Sequence, residues 1–226
     1  MHKPIILIKA GKTKGGARAA QSHTASLAGS YDVYSAAFKQ AGIIEVESLT
    51  DLFDFSKIFL QPFPKGDKVG IITNGGGIGV LTTDWVEMNG LSLAELSENT
   101  TQSLRSIMPQ HVNAANPLDL AGDADKGRYE KALEAFIADD NIDSIIVIPF
   151  FQTIALDEGL IPIIDKAVQQ KKKTIIGLTM GGTYTEMVRT QLEESGVPTY
   201  SSPYVATKAL AKLLCYAKYR EKTAQQ

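Results

Sequence analysis

Val69–Gly90 reads VGIITNGGGIGVLTTDWVEMNG. An apolar, β-branched run, Val69–Thr73, ends in Asn74-Gly75-Gly76-Gly77, and from about Gly79 the apolar residues recur at helical spacing. A buried strand that turns through glycine straight into a helix is the building unit of an α/β fold. Glycine lets the backbone come close to a ligand and adopt positive φ. A helix start leaves N–H groups unpaired and partly positive. Together these make an anion site, most naturally for phosphate, with Asn74, Gly75, Gly76 and Gly77 as its residues. Standard nucleotide motifs do not match: no Gly-Lys-Ser/Thr follows, and the dinucleotide fingerprint aligned on Gly75 and Gly77 wants glycine where Val80 stands. The competing reading is a tight βα turn that only packs helix against strand, and the turn alone does not choose between them.

Outward from this turn the same alternation continues. Apolar strand-like runs fall at Ile5–Lys9, Leu91–Leu96, Ser144–Pro149, Thr174–Thr179 and around Pro198–Ser201. Helical-period segments fall at Gly79–Met88, Thr100–Met108, Gly127–Asp139, Leu160–Gln170, Thr183–Ser195 and Pro203–Tyr219. SIIVIP and TIIGLT are near-continuous apolar runs with no polar alternation, as strands buried on both faces of a parallel sheet are. The pattern predicts a doubly wound, flavodoxin-like α/β domain over residues 66–226. Gln61–Asp67, QPFPKGD, carries two prolines and a glycine and reads as a linker. Before it, residues 1–62 offer one clear strand, a second at Gly42–Glu47 and a helix at Ser48–Leu60. Two strands rarely make an independent sheet, so this segment is expected to be an incomplete α/β domain, completed elsewhere or truncated. A second glycine turn, Met180-Gly181-Gly182-Thr183, follows TIIGLT; a plain turn is its simpler reading, although ligands in open sheets gather beyond the carboxyl ends of strands.

The chain has 226 residues, 44% hydrophobic and 21% charged, with a formal net charge of -2. That is ordinary globular composition, long enough to bury a core without staples. The charge gives no broad basic face, so nucleic acid is not the expected partner. No apolar run reaches the ~18 residues of a membrane span, and the apolar stretch of MHKPIILIKAG falls short of the ~7 residues of a signal-peptide core. A single cysteine, Cys215, excludes a disulfide framework and reads as a buried, inert thiol. A reducing, cytoplasmic setting is expected.

Lys9–Gly29 opens as a loop rich in glycine and lysine, with Lys9, Lys12, Lys14 and Arg18 positive and Gly15-Gly16 free to bend. It then runs through AAQSHTASLAG, small residues around Ser22-His23-Thr24. Neutral imidazole, with a pKa near ~6.5, is well populated at neutral pH and attacks phosphoryl groups to give covalent intermediates. Small neighbours would leave room for phosphate and for loop movement. Taken alone, His23 reads equally as a hydrogen-bonded surface histidine, the reading given to His111 and His2. Three scattered histidines and no Cys/His cluster argue against a metal site.

IKAGKTKGGARAAQSHTASLAG, ITNGGGIGVLTTD and NPLDLAGDAD, in this order, resemble the NDP-forming acyl-CoA synthetases, relatives of succinyl-CoA synthetase, over about Lys3 to Arg220. The resemblance implies a ligase in which acyl-CoA and phosphate give acyl phosphate and CoA. A histidine then takes the phosphoryl group and passes it to ADP or GDP on an ATP-grasp domain. The phosphohistidine carries over to His23, with Ser22 and Thr24 beside it. The phosphate would lie at helix N-termini, one of them the Asn74–Gly79 turn. The resemblance further implies phosphate and acyl phosphate as ligands, and CoA, ATP/ADP and magnesium in the complete enzyme but none held by this chain. CoA-binding and ATP-grasp domains or a subunit would be partners, in an oligomer. Alone, the chain is expected to be inactive. Thr24-Ala25-Ser26 departs from the family's Thr-Gly-Ser. Asp119, in Asn116-Pro117-Leu118-Asp119, either fixes the loop after a strand or faces the phosphate. The alternatives are a non-catalytic, ligand-sensing region of a protein acetyltransferase and a flavodoxin-like FMN module. The acyl group and the choice of ADP or GDP are not readable.

Overall fold

The computed structural model describes residues 3–24 and 30–225, which fold as two units: Met1–Lys57 with Cys215–Gln226, and Ile58–Leu214. In the smaller unit β1 (Ile6–Ile8) pairs in parallel with β2 (Ile44–Val46), Leu7 opposite Glu45. Ile44 and Val46 are buried, and the two-residue period puts Glu45 on the other face. Helices α1 (Lys14–Thr24) and α2 (Tyr31–Gln40) lie between the strands in sequence, and α3 (Leu49–Ser56) follows, capped by Ser48 accepting from Asp51 N.

The segment expected as a bending loop is therefore helix α1. Gly11, at φ +79°, turns the chain out of β1. Thr13 then caps the helix: its Oγ1 accepts from Gly16 N at 3.1 Å and its carbonyl from Ala17 N at 2.8 Å. Gly15 and Gly16 sit in the first turn, and Ala17–Gln21 supplies strong helix formers. Helix α2 has no counterpart in the sequence reading. Ala25, the departure from the family pattern, lies outside the described residues with Ser26; so does His2.

In the larger unit β3 (Lys68–Thr73) pairs with three strands. β4 (Ser92–Leu93) pairs with its first residues and β5 (Leu118–Asp119) with its last, both on one side. β6 (Ser144–Ile148), β7 (Thr174–Leu178) and β8 (Thr199–Tyr200) extend the sheet on the other. All pairs are parallel, in the order β4-β3-β6-β7-β8. Setting aside the two-residue β5, this is the flavodoxin-like order, and strand order reverses between β3 and β6. Every residue of β6 and β7 is buried, Ser144 and Thr174 at their starts included, as their near-continuous apolar sequences suggest.

Helices α4 (Gly76–Met88), α5 (Glu98–Ile107), α6 (Lys126–Ala138), α7 (Ile161–Gln169) and α8 (Thr183–Glu194) complete this unit, with the first part of α9 (Pro203–Ala224). Ser97 caps α5 and Asp125 caps α6 through their side chains. α4 starts three residues earlier than the glycine run suggested, because Ile78 N and Gly79 N both bond to Gly75 O. Gln61–Asp67, read as a linker, is stitched to β7: Gln61 Oε1 accepts from Ile175 N and Pro62 O from the Thr174 hydroxyl. Cys215 is exposed rather than buried. Leu213, Leu214, Tyr216 and Ala217 fill the buried stripe of α9, and Cys215 falls outside it.

Candidate functional site

The carboxyl ends of β3, β5, β6 and β7 all run into turns, and hydrogen bonds tie these turns together. At the end of β3, Asn74 is buried and its side-chain amide is fully used. Oδ1 accepts from Phe150 N at 2.7 Å and from the Tyr129 hydroxyl at 2.8 Å. Nδ2 donates to Phe150 O at 3.1 Å and to Thr153 Oγ1 at 3.3 Å. The amide thus clamps the β3 turn to the loop after β6, across the point where strand order reverses. Tyr129, on α6, is wholly buried; burial pushes its hydroxyl well above the usual tyrosine range, so it remains a proton donor. Asn74 is the scaffold of the turn, its hydrogen bonds fixing the backbone that follows.

That backbone is Gly75-Gly76-Gly77. Gly75 N donates to Thr73 Oγ1 at 3.0 Å. Gly75 caps α4 with no side-chain bond, and the N–H groups of Gly76 and Gly77, in the first helical turn, have no acceptor within the helix. Gly79 packs against β3: a Cβ there would stand 3.1 Å from Thr73 Cγ2. A Cβ on Gly76 would collide with Oδ2 of Asp119. Asp119 closes β5, and its Oδ1 accepts from Ala121 N at 3.0 Å. Of the two roles open to Asp119, the structure shows the first directly, a turn-fixing bond, and also sets its carboxylate at the positive end of α4.

The turn after β7 repeats the device. Gly182 caps α8 with no side-chain bond. Gln152, in the loop after β6, donates to Met180 O at 3.1 Å and to Thr185 Oγ1 at 3.2 Å. The edge therefore carries two helix starts, α4 and α8, capped by glycine, where α5 and α6 carry side-chain caps. Such ends attract anions. Sequence reading missed Tyr129, Phe150, Thr153 and Gln152. Tyr129 has the spacing of a core residue on an amphipathic helix, and the others sit in a loop with no glycine signature.

The other expected residues, Ser22, His23 and Thr24, occupy the last turn of α1 in the smaller unit. Ser22 is exposed and its hydroxyl bonds to Ala19 O at 2.9 Å. Lys12, ahead of α1, meets Glu45 Oε1 at 2.7 Å; that hydrogen bond, with one to Tyr31, raises its pKa. Lys9 bonds to Ala10 O and lies 4.7 Å from the centre of the Tyr34 ring. Ser22, His23 and Thr24 are thus grouped in one unit, and Asn74 to Gly77 in the other. His111 is exposed and faces Asp123, as a surface histidine does. Among the described residues no group of three or more His, Cys, Asp or Glu side chains could hold a metal ion, and no helix is long and apolar enough to cross a membrane.

A family model described as a Ligase-CoA domain matches residues 69–225, and one described as a succinyl-CoA ligase like flavodoxin domain matches residues 1–59. The chain belongs to the Ligase-CoA family. It is 41% identical over 224 residues to the ADP-forming acetate–CoA ligase I subunit alpha of Pyrococcus furiosus, covering 97% of this chain and 48% of that protein. To subunit alpha of the ADP-forming acetate–CoA ligase II of the same organism it is 39% identical over 221 residues, with 96% and 48% covered. The dinucleotide forming acetyl-coenzyme A synthetase 1 of Ca. Korarchaeum cryptofilum, solved in complex with phosphate and ADP, superposes with a TM-score of 0.89 at 34% identity, covering 99% of this chain and 49% of that one. The chain spans about half the length of these relatives. The resemblance drawn from the Ser-His-Thr segment and the Asn-Gly-Gly-Gly turn is borne out, and so is the flavodoxin-like fold.

Proposed function

We propose that this Ligase-CoA chain is part of an NDP-forming acyl-CoA synthetase that interconverts acyl-CoA, phosphate and ADP with free acid, CoA and ATP. The observation that carries the reading is the carboxyl edge of the larger sheet, where α4 and α8 both start on glycine without side-chain caps. The N–H groups of Gly76 and Gly77 would bind the phosphoryl oxygens of an acyl phosphate, with the turn held rigid by Asn74. In the reaction, a neutral imidazole nitrogen of His23 attacks phosphorus, the P–O bond to the acyl group breaks, and the carboxylate leaves as free acid. The phosphoryl group on His23 then passes to ADP, and the imidazole returns to its neutral form. Ser22 and Thr24 offer hydroxyls beside the phosphorylated ring.

The nucleotide that accepts the phosphoryl group, its magnesium and CoA are assigned to a partner domain or subunit, in an oligomeric cytoplasmic enzyme, and no step is routed through the metal. The names of the relatives support the ligase reading, and no observation favours the ligand-sensing acetyltransferase alternative. The test is to incubate the chain, together with its ATP-binding partner, with ATP and magnesium or with acetyl-CoA and labelled phosphate. Acid-labile phosphate should appear on the peptide containing His23 and be absent in His23→Ala. Labelling that survives the substitution overturns the assignment.

A further inference from the structure

Glu45 is a carboxylate in the middle of a short strand whose neighbours, Ile44 and Val46, are buried. On its own face each of its oxygens has a partner. Oε1 lies 2.7 Å from Lys12 Nζ, and Oε2 accepts the Tyr31 hydroxyl at 3.0 Å. Lys12 Nζ also stands 5.0 Å from the centre of the Tyr31 ring. The two partners are the stems of one excursion of the chain. Lys12 precedes α1, Tyr31 opens α2, and residues 13–30 between them carry Ser22, His23 and Thr24. Joining both stems at one point shortens the free path of everything between them and so restricts where it can go. A carboxylate suits this role because it accepts at both oxygens and carries the charge that holds Lys12, whereas an amide of the same shape keeps one acceptor and no charge and so loosens the Lys12 stem.

We infer that Glu45 is a positioning residue for His23, acting by closing the neck between Lys12 and Tyr31. The inference rests on the reading of His23 as phosphoryl carrier. Phosphoryl transfer demands alignment within a fraction of an ångström, so a loosened neck slows the transfer step without weakening substrate binding.

The test uses the chain assembled with its ATP-binding partner. In Glu45→Gln, kcat and the initial rate of His23 labelling should fall about tenfold, with KM for phosphate and acyl-CoA within about twofold and the final labelling stoichiometry unchanged. Tyr31→Phe, which removes one stem, should give a fall of about threefold. Wild-type rates in Glu45→Gln overturn the inference, and so does a rise in KM at constant kcat, which would make Glu45 a substrate contact. A second arm follows trypsin cleavage after Lys14 and Arg18, both inside the excursion. Opening the neck should raise cleavage about tenfold in Glu45→Gln, and unchanged cleavage overturns the neck. Absence of label on His23 in the unmodified protein defeats the carrier reading alone, whereas the cleavage arm judges the neck in either case.

Discussion

The polar cluster around Asn74 and the one around Glu45 both hold a turn in place, but they are made of opposite materials. Asn74 is 4% exposed and neutral, and Tyr129 beneath it is fully buried. Lys12 and Glu45 are charged, with side chains 30% and 17% exposed. A buried amide must have its groups satisfied or it destabilises the fold. The Asn74 network is therefore rigid because each of its bonds is needed. Lys12, partly open to solvent, keeps water as an alternative partner although Glu45 Oε1 is itself closed to it, and an ion pair of this partly exposed kind contributes about 1 kcal/mol. The lesson is that fixing a position and stabilising a fold are separable. The first kind of network suits a turn that must stay rigid, and the second a segment held at its stems.

Asn74→Leu is the strongest way to break this contrast. It keeps the branched outline with some added bulk, but removes the acceptor of Phe150 N and a donor to Phe150 O, inside a region closed to water. Unfolding free energy should fall by about 2–3 kcal/mol, read as a lower urea midpoint. A loss below about 1 kcal/mol, the scale of an exposed ion pair, would mean that the buried network is no more demanding than the neck.

The same contrast explains what could be read in the sequence. β6 and β7 were legible because SIIVIP and TIIGLT carry no charged residue and no polar alternation, which fits a strand covered on both faces. The glycine-capped start of α4 was legible because the signal of Gly75–Gly77 is local: a glycine run after a strand marks the turn into a helix. The use of Asn74 was not, because its partners come from α6 and from the loop after β6, which meet it only in the folded sheet. α1 was hidden for a different reason. Gly15-Gly16 reads as a breaker, and the Thr13 cap that rescues the helix is a single hydroxyl. β5 pairs through two residues on one side of β3, too short for any periodicity to show.

Tyr129→Phe sharpens the comparison by removing one hydroxyl, which is shared between Asn74 Oδ1 and Ile148 O, while leaving the clamp closed. Asn74 Oδ1 keeps Phe150 N as a donor, and the ring keeps its packing. The loss should be about 1 kcal/mol, smaller than in Asn74→Leu, with phosphate affinity at the turn unchanged by calorimetry. A loss equal to that of Asn74→Leu would place the tyrosine hydroxyl, rather than the amide, at the centre of the network.

The smallest effect is expected at Asp123, which separates exposure from location. It belongs to the larger unit, as Asn74 does, but is built like the neck: Arg128 donates to it at 2.8 and 3.2 Å, and His111 faces it at 3.3 Å. The Arg128 hydrogen bond above all, with help from His111, lowers its pKa to about 2 from an ordinary 3.8. A carboxylate depressed on folding stabilises the native state above its unfolded pKa, and that contribution is lost as pH falls through the folded value. The thermal midpoints of the parent and Asp123→Asn should therefore differ slightly at neutral pH and converge between about pH 4 and pH 2. Added salt at neutral pH should shrink the gap in the same way, because the pair is open to solvent. A gap that survives at pH 2 would mean that Asp123 acts through its shape rather than its charge. A loss at pH 7 as large as that of Asn74→Leu would show that position on the carboxyl edge, and not burial, decides how much a polar network is worth.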